Sequence, residues 1–261
     1  MRTVCVSGAA SGIARALAEQ LRADGQRVIS VDLHDADVVA DLSTPDGRTA
    51  AVEGVLDACA GRLDGLAALA GVGPQVGAVA QATVNYFGAV ATLMGLKPLL
   101  AGSSAPRAVA TVSMASLFPP DDALLAALTA GDEAAALARG AELEAAGGDA
   151  GNLIYGTTKR ALAQLIRRTA PTPEWAGEGI PLNAIAPGVV ETPMTADFTG
   201  SDEARRAVLS MVPMPLNGIF QPRDVAYLLA WLTSEENAHL CGQVVFIDGG
   251  SDAVIRGDST W

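Results

Sequence analysis

The chain has 261 residues, half of them apolar, with 28 Gly, 14 Pro and 18% charged side chains. That length suits a single α/β domain, which ordinarily runs to about 200–250 residues, and it buries a large core without disulfides or metals. The apolar content excludes a disordered chain and the scattered Gly and Pro exclude a coiled coil. A formal charge of −12 argues against nucleic acid and anionic membrane as partners, and 4% aromatics argues against base stacking.

Cys5, Cys59 and Cys241 are odd in number and far apart, so they predict reduced thiols rather than a disulfide framework. With only His34 and His239 in the chain, no metal is expected. Gly and Ser interrupt the early apolar run Val4–Val6, against a secretory segment. No stretch approaches the ~18 uncharged apolar residues of a membrane helix. The expectation is a soluble, cytoplasmic protein.

The elements alternate. Thr3–Ser7 reads as a strand, Ile13–Asp24 as an amphipathic helix stopped by Gly25, and Arg27–Asp32 as a second strand. Thr44–Gly61 reads as a helix with Ser43 or Thr44 as cap and Pro45 in its first turn. Asp64–Gly71 is a third strand, Gln75–Leu100 one long helix and Arg107–Ser113 a further strand. Helices over Leu153–Thr169 and Asp224–Thr233 alternate with strands at Ile180–Ala186 and Gln243–Asp248. Strands apolar on both faces and separated by helices predict a doubly wound parallel sheet, a Rossmann fold, as one domain over 1–261. Residues 119–150 break the rhythm: Pro119-Pro120 opens a stretch with 12 Ala and seven acidic residues against Arg139 alone. They predict an insertion of one or two amphipathic helices, its acids solvated.

The first strand runs into Gly8-Ala-Ala-Ser11-Gly12-Ile13-Ala14 and then a helix. One glycine permits a tight turn, another lets the backbone approach a pyrophosphate, and the helix start offers unpaired N–H groups. Any tight strand–helix turn would favour such residues. An acid at the end of strand two, Asp32, raises the specificity, because a carboxylate there accepts both ribose hydroxyls and repels a 2′-phosphate. Leu33 and His34 follow with no arginine for such a phosphate, so NAD is favoured over NADP. The competing role for Asp32 is simple turn capping. Asp41 and Leu42 stand where a further turn could edge an adenine.

Tyr155 and Lys159 are four apart in a predicted helix and share a face. A phenol ionises near pH 10, and bringing it to neutrality takes about 4 kcal/mol of preferential phenolate stabilisation. A neighbouring ammonium and a cationic nicotinamide ring carry charge of the right sign, and the tyrosine then serves as general base or acid. Such a pair alone is commonly a surface coincidence. Ser113, at the end of a predicted central strand where parallel sheets place ligands, makes it a site.

Taken together, Ser7-Gly8-x-x-x-Gly12, Asp32, Ala70-Gly71, Asn85, Ser113, Tyr155-x-x-x-Lys159 and Ala186-Pro187-Gly188 resemble the short-chain dehydrogenase/reductase family from Thr3 to Gly250. The strings Asp41-Leu42-Ser43-Thr44, Gly73-Pro74-Gln75 and Val84-Asn85-Tyr86-Phe87-Gly88, with the insertion, resemble its bacterial 3α-hydroxysteroid dehydrogenase/carbonyl reductase branch. The resemblance implies Tyr155 as proton donor or acceptor and Lys159 on the nicotinamide ribose. Ser113 would bind the substrate oxygen, with Ser116 the alternative should the register differ. Asn85 would hold a water linking the lysine to solvent, and Pro187, Gly188, Val189 and Thr192 would flank the nicotinamide. Two departures stand out. Ala14 replaces the third glycine of the loop, and Ala68-Leu69-Ala70-Gly71 lacks the polar side chains of the family's Asn-Asn-Ala-Gly.

Between Pro193 and Pro215 lie Met194, Phe198, Leu209, Met211, Val212 and Met214, and Met114 follows the serine. Adaptable thioethers suit a wide apolar pocket, so Met114, Met194 and Met211 join Ser113 and Tyr155 as expected substrate contacts. The expected reaction is NAD-linked interconversion of a secondary alcohol and a ketone on a small but bulky apolar substrate, a 3α-hydroxysteroid. A cyclic terpene or xenobiotic alcohol is the alternative. A non-catalytic nucleotide sensor is disfavoured because the Ser, Tyr and Lys are all present. The family commonly packs its tyrosine-bearing helix against a partner across a two-fold axis, and an insertion beside that helix predicts a homodimer rather than a homotetramer.

Overall fold

The structure is a computed structural model that describes residues 1–259. Seven strands form one parallel sheet: β1 (Thr3–Ser7), β2 (Arg27–Asp32), β3 (Val38–Val39), β4 (Gly65–Ala68), β5 (Arg107–Thr111), β6 (Leu182–Pro187) and β7 (Val244–Ile247). Their order is β3-β2-β1-β4-β5-β6-β7. The chain moves outward from β1 to β3, then returns to the other side of β1 through β4. Beyond the strands' carboxyl ends this reversal opens a crevice, because the loops leaving β1 and β4 part in opposite directions. Ser7 lies level with Val31 on β2 and Ala68 on β4, so the following loops start at one height.

Both faces of the sheet are covered. On one side α1 (Gly12–Ala23) packs on α10 (Pro222–Leu232), and Leu17, Leu21, Val225 and Leu229 are fully buried between them and the sheet. On the other side lie α2 (Pro45–Cys59), α3 (Ala78–Ala82), α4 (Ala89–Leu100) and α7 (Ala150–Thr169), over a second core that includes Leu66, Leu93, Leu162 and Trp175. Thr44 caps α2, accepting from the Gly47 N–H at 3.0 Å. Cys5 and Cys59 are buried free thiols and Cys241 is a half-buried one. Burial, with Cys59 adjacent, pushes the Cys5 thiol up to about 12, so it packs as an inert apolar group.

The long helix expected over 75–100 starts at Ala78, and α3 and α4 are joined by one wide π-helical turn, Thr83–Gly88. Such turns concentrate at functional sites because they redirect a side chain without ending the helix, and this one carries Asn85. Contrary to expectation, Ala78–Leu100 is long and apolar enough to cross a membrane, with a mean hydropathy of 1.2. Over half of its apolar window is buried inside the protein, against α2, α7, β4 and β5, so it is a core helix. The edge strand β3 was not anticipated, since two residues carry no periodicity.

The 119–150 segment forms two helices, α5 (Asp122–Ala130) and α6 (Glu133–Ala146), turning at the left-handed Gly131. Leu124 and Leu128 of α5 and Ala136 of α6 are fully buried, and both helices rest on α7. Three of the acids expected to be solvated are paired, Glu142 with Arg139 at 2.8 Å among them. Asp121 accepts from Arg139 at 2.7 Å and from the Leu124 N–H at 2.8 Å, which holds its carboxyl below the usual range. Glu133 accepts from Arg48 of α2 at 2.8 Å. Three short helices complete the chain: α8 (Ala196–Thr199), α9 (Asp202–Met211) and α11 (Ser251–Arg256).

Candidate active site

A cleft of about 380 Å³ opens over the carboxyl ends of the strands. One wall is the loop between β1 and α1. Gly8 has φ +77°, and a Cβ there would lie 2.8 Å from the Ala70 Cα, so the β1 and β4 loops meet only because this residue lacks a side chain. Gly12 has φ +55°. Ser11 precedes α1 in extended conformation without a side-chain cap, leaving the first N–H groups to the cleft. Gly8, Ser11, Gly12 and Ile13 all line it. Asp32 closes the loop from β2, accepting from the Ala10 N–H at 2.8 Å and the Leu33 N–H at 2.7 Å. It caps a turn and lines the cleft at once, so the two roles coexist. Leu33, His34, Asp41 and Leu42 border the same end.

This cradle fits a dinucleotide. The backbone comes to the surface at two glycines, an unpaired helix start points at the cleft, and the carboxylate at the far end has lone pairs to spare.

The other end holds the proton-transfer candidates. Ser113 follows β5, and Tyr155 and Lys159 sit one turn apart on α7; all three line the cleft. The Lys159 Nζ lies 5.7 Å from the Tyr155 ring centroid and donates to the Thr111 carbonyl at 3.2 Å. Asn85 is fully buried behind Gly71, accepting from the Val72 N–H at 2.8 Å and donating to the Val72 carbonyl at 3.1 Å. A Cβ on Gly71 would stand 3.0 Å from Asn85 Oδ1 and 3.3 Å from Lys159 Nζ, so this glycine keeps open the space between amide and amine. Ser116 does not line the cleft; its carbonyl accepts from Arg160.

In the protein alone, the ammonium expected to act on the phenol together with the nicotinamide ring does not lower it. Burial pushes the Tyr155 hydroxyl above its ordinary value, and the Ser113 hydroxyl beside it acts in the opposite direction. Burial also pulls Lys159 down, to about 8. Desolvation governs both groups because each loses water while gaining only one polar neighbour.

Pro187, Gly188 and Thr192 line the third wall, with Met194 at the mouth and Ala70 and Gly71 opposite. Val189 does not face the cleft; it is buried, and its N–H donates to the Met214 sulfur at 3.3 Å. Met114 and Met211 do not line the cleft. Met114 is buried in the turn that packs on α7, and Met211 is 64% exposed at the end of α9. A thioether count cannot distinguish a lining residue from one in the core or on the surface. Sequence reasoning passed over Thr195, which also lines the cleft and whose hydroxyl accepts from the Thr192 N–H at 3.0 Å; the Thr-x-x-Thr spacing of a capped turn was its only signal. Val72 and Thr111 act through backbone carbonyls and left none.

A family model described as enoyl-(acyl carrier protein) reductase matches residues 8–252. The chain is 38% identical over 259 residues to a 3-alpha-hydroxysteroid dehydrogenase/carbonyl reductase of Comamonas testosteroni, covering 98% of each. Its fold superposes with a TM-score of 0.88 on the 3-alpha-hydroxysteroid dehydrogenase from Pseudomonas sp. B-0831 complexed with NADH, at 39% identity over 98% of this chain and 99% of that one. The chain is also similar to the RhlG/NADP active-site complex of Pseudomonas aeruginosa, with a TM-score of 0.74 and 27% identity over 96% of each chain. Likeness of this extent, in sequence and in the path of the backbone alike, makes the chain a member of the short-chain dehydrogenase/reductase family and an NAD(P)-dependent oxidoreductase acting on CH–OH groups.

Proposed function

We propose that the enzyme interconverts a secondary alcohol and a ketone on a bulky apolar substrate, with NAD as its cofactor and a 3α-hydroxysteroid as its substrate. The observation that carries this reading is the convergence of Ser113, Tyr155 and Lys159 at one end of a cleft whose other end is closed by Asp32. Asp32 favours the free ribose hydroxyls of NAD over the 2′-phosphate of NADP, and no arginine borders that carboxylate in the cleft. The steroid assignment draws on Met194 lining the cleft and on the activities of two relatives similar over nearly the whole chain.

In the oxidation direction Ser113 donates a hydrogen bond to the substrate oxygen and holds the carbinol carbon in place. Tyr155 accepts the hydroxyl proton as the C–O bond gains double-bond character, and in reduction it returns that proton. When bound, the dinucleotide supplies the nicotinamide carbon that takes or gives the hydride. Lys159 holds positive charge 5.7 Å from the centre of the phenol ring, and Gly71 leaves room for a proton path from its amine toward Asn85.

The quaternary reading is a homodimer. It is supported by α5 and α6, which lie on α7 and so cover helix surface that a tetramer of the usual kind would use. Light scattering is expected to return a two-chain mass; a four-chain mass would contradict it.

A turnover assay tests the activity. NAD⁺ with a 3α-hydroxysteroid is expected to give NADH faster than NADP⁺ gives NADPH. Tyr155→Phe is expected to lower the rate by at least ~10²-fold while NADH still binds. Turnover of small alcohols but of no steroid would remove the substrate assignment, and an active Phe variant would remove the role of Tyr155.

The buried amine gives a second test. Because the folded Lys159 releases its proton near 8 and an unfolded lysine near 10.4, the unfolded chain binds more protons between those values. Stability therefore rises with pH through that window, and below it the ammonium is a cost. Urea unfolding is expected to show the wild type gaining up to about 3 kcal/mol from pH 8 to 10.5 relative to Lys159→Met. Parallel pH profiles for the two proteins would show that the amine is not desolvated.

A further inference from the structure

We propose that Gln75 is a positioning residue that latches the Thr192–Thr195 segment across the cleft and sets how fast a bound dinucleotide leaves. The inference rests on the cleft being a dinucleotide site. Thr192, Pro193, Met194 and Thr195 all line that cleft. At one end the segment touches the phosphate-loop candidate, with the Thr192 Cγ2 at 3.4 Å from where a Gly12 Cβ would stand. At the other end Gln75 Nε2 donates to the Met194 carbonyl at 3.1 Å. Among the described residues this is the one hydrogen bond that joins the segment to the 72–77 loop.

The closeness of the two sides is visible at Gly73. A Cβ there would fall 2.3 Å from Gln75 Oε1 and 2.9 Å from the Met194 Cγ, so the three residues meet at this point. The two sides are not equally held. The loop carrying Gln75 is pinned from below by the buried Gln81, which donates to the Val76 carbonyl at 2.6 Å and the Pro74 carbonyl at 3.3 Å. The start of α7 presses on it as well, since a Cβ on Gly151 would lie 2.3 Å from the Pro74 carbonyl oxygen. Segment 192–195, by contrast, is a short turn tied to near neighbours in the chain: the Thr195 hydroxyl accepts from the Thr192 N–H at 3.0 Å and donates to the Val190 carbonyl, and the Thr199 hydroxyl donates to the Thr195 carbonyl at 3.0 Å. A side chain fixed to the rigid wall and bonded to the looser one resists opening without touching the reacting atoms.

Gln75→Glu keeps the shape but replaces the donating amide with an oxygen that repels the Met194 carbonyl; Gln75→Leu removes both polar atoms. Gln75 is exposed, so neither change opens a core cavity. Stopped-flow displacement of NADH, followed by its fluorescence, is expected to show dissociation about two- to tenfold faster in both variants, the loss of one hydrogen bond. KM for the dinucleotide is expected to rise while the deuterium isotope effect on hydride transfer and the ligand-free melting temperature stay at wild-type values. Dissociation at the wild-type rate in both variants overturns the latch. Faster release with a lowered ligand-free melting temperature also overturns it, by making Gln75 a structural residue. A wild type that takes up no NADH removes the reading of the cleft, and the latch with it.

Discussion

The site is organised around an amine and a phenol that have each lost water to burial, the amine more fully. Lys159 is 4% exposed and Tyr155 half-buried one helical turn before it. Desolvation makes each group prefer its neutral form, so the pair is held in opposition to its intrinsic tendency to charge. That opposition is useful. An ammonium pulled down to about 8 remains mostly charged at neutral pH yet gives up its proton readily, and a phenol held up by burial responds strongly to any further charge placed near it. Low local polarity magnifies such interactions. The same burial makes the ligand-free protein less stable than an apolar substitution would, a trade common at functional sites.

The rest of the fold serves to hold that pair beside a cradle for phosphates. The reversal of strand order after β1 creates the crevice, and two glycines bring its walls together. Gly8 is required by the Ala70 backbone 2.8 Å from its absent Cβ; at Gly71 a Cβ would press on Asn85 Oδ1 at 3.0 Å and Lys159 Nζ at 3.3 Å. The π-helical turn at Thr83–Gly88 places Asn85 so that its amide satisfies both polar groups of Val72. The insertion joins this scheme from outside. Its helices lie on α7, and Glu133 ties it to Arg48 of α2, so it is packed into the domain rather than draped on it.

Much of this was legible in the residues. Ser113, Tyr155, Lys159 and Asp32 each stand at the end of a strand or on a helix whose pattern was plain, and the structure gathers them at one cleft. Strands β1 and β2 were readable to the residue because their apolar runs end on glycine or acid. What escaped depends on neighbours distant in the chain. The π turn, Thr-Val-Asn-Tyr-Phe-Gly, contains no residue type that marks a widened turn, since each of them is also found in ordinary helices. The two-residue β3 exists only because Val31 and Asp32 offer an edge to Val38 and Val39. The thioethers do not mark the cleft by themselves because sulfur fits core, surface and lining equally: Met194 lines the cleft, Met114 is interior, Met211 is on the surface, and Met214 accepts a backbone N–H. The sense of the Tyr155 shift also escaped, because charge can be counted in a sequence and burial cannot.

The central claim is that the protein alone holds the Tyr155 proton tightly and that charge delivered beside it loosens the hold. Ultraviolet difference titration of tyrosinate, wild type minus Tyr155→Phe, with and without saturating NAD⁺, tests this most directly. The account predicts ionisation above the ordinary tyrosine value of about 10 without NAD⁺ and a displacement toward neutrality with it. Ionisation that stays above 10 in the presence of bound NAD⁺ would contradict it.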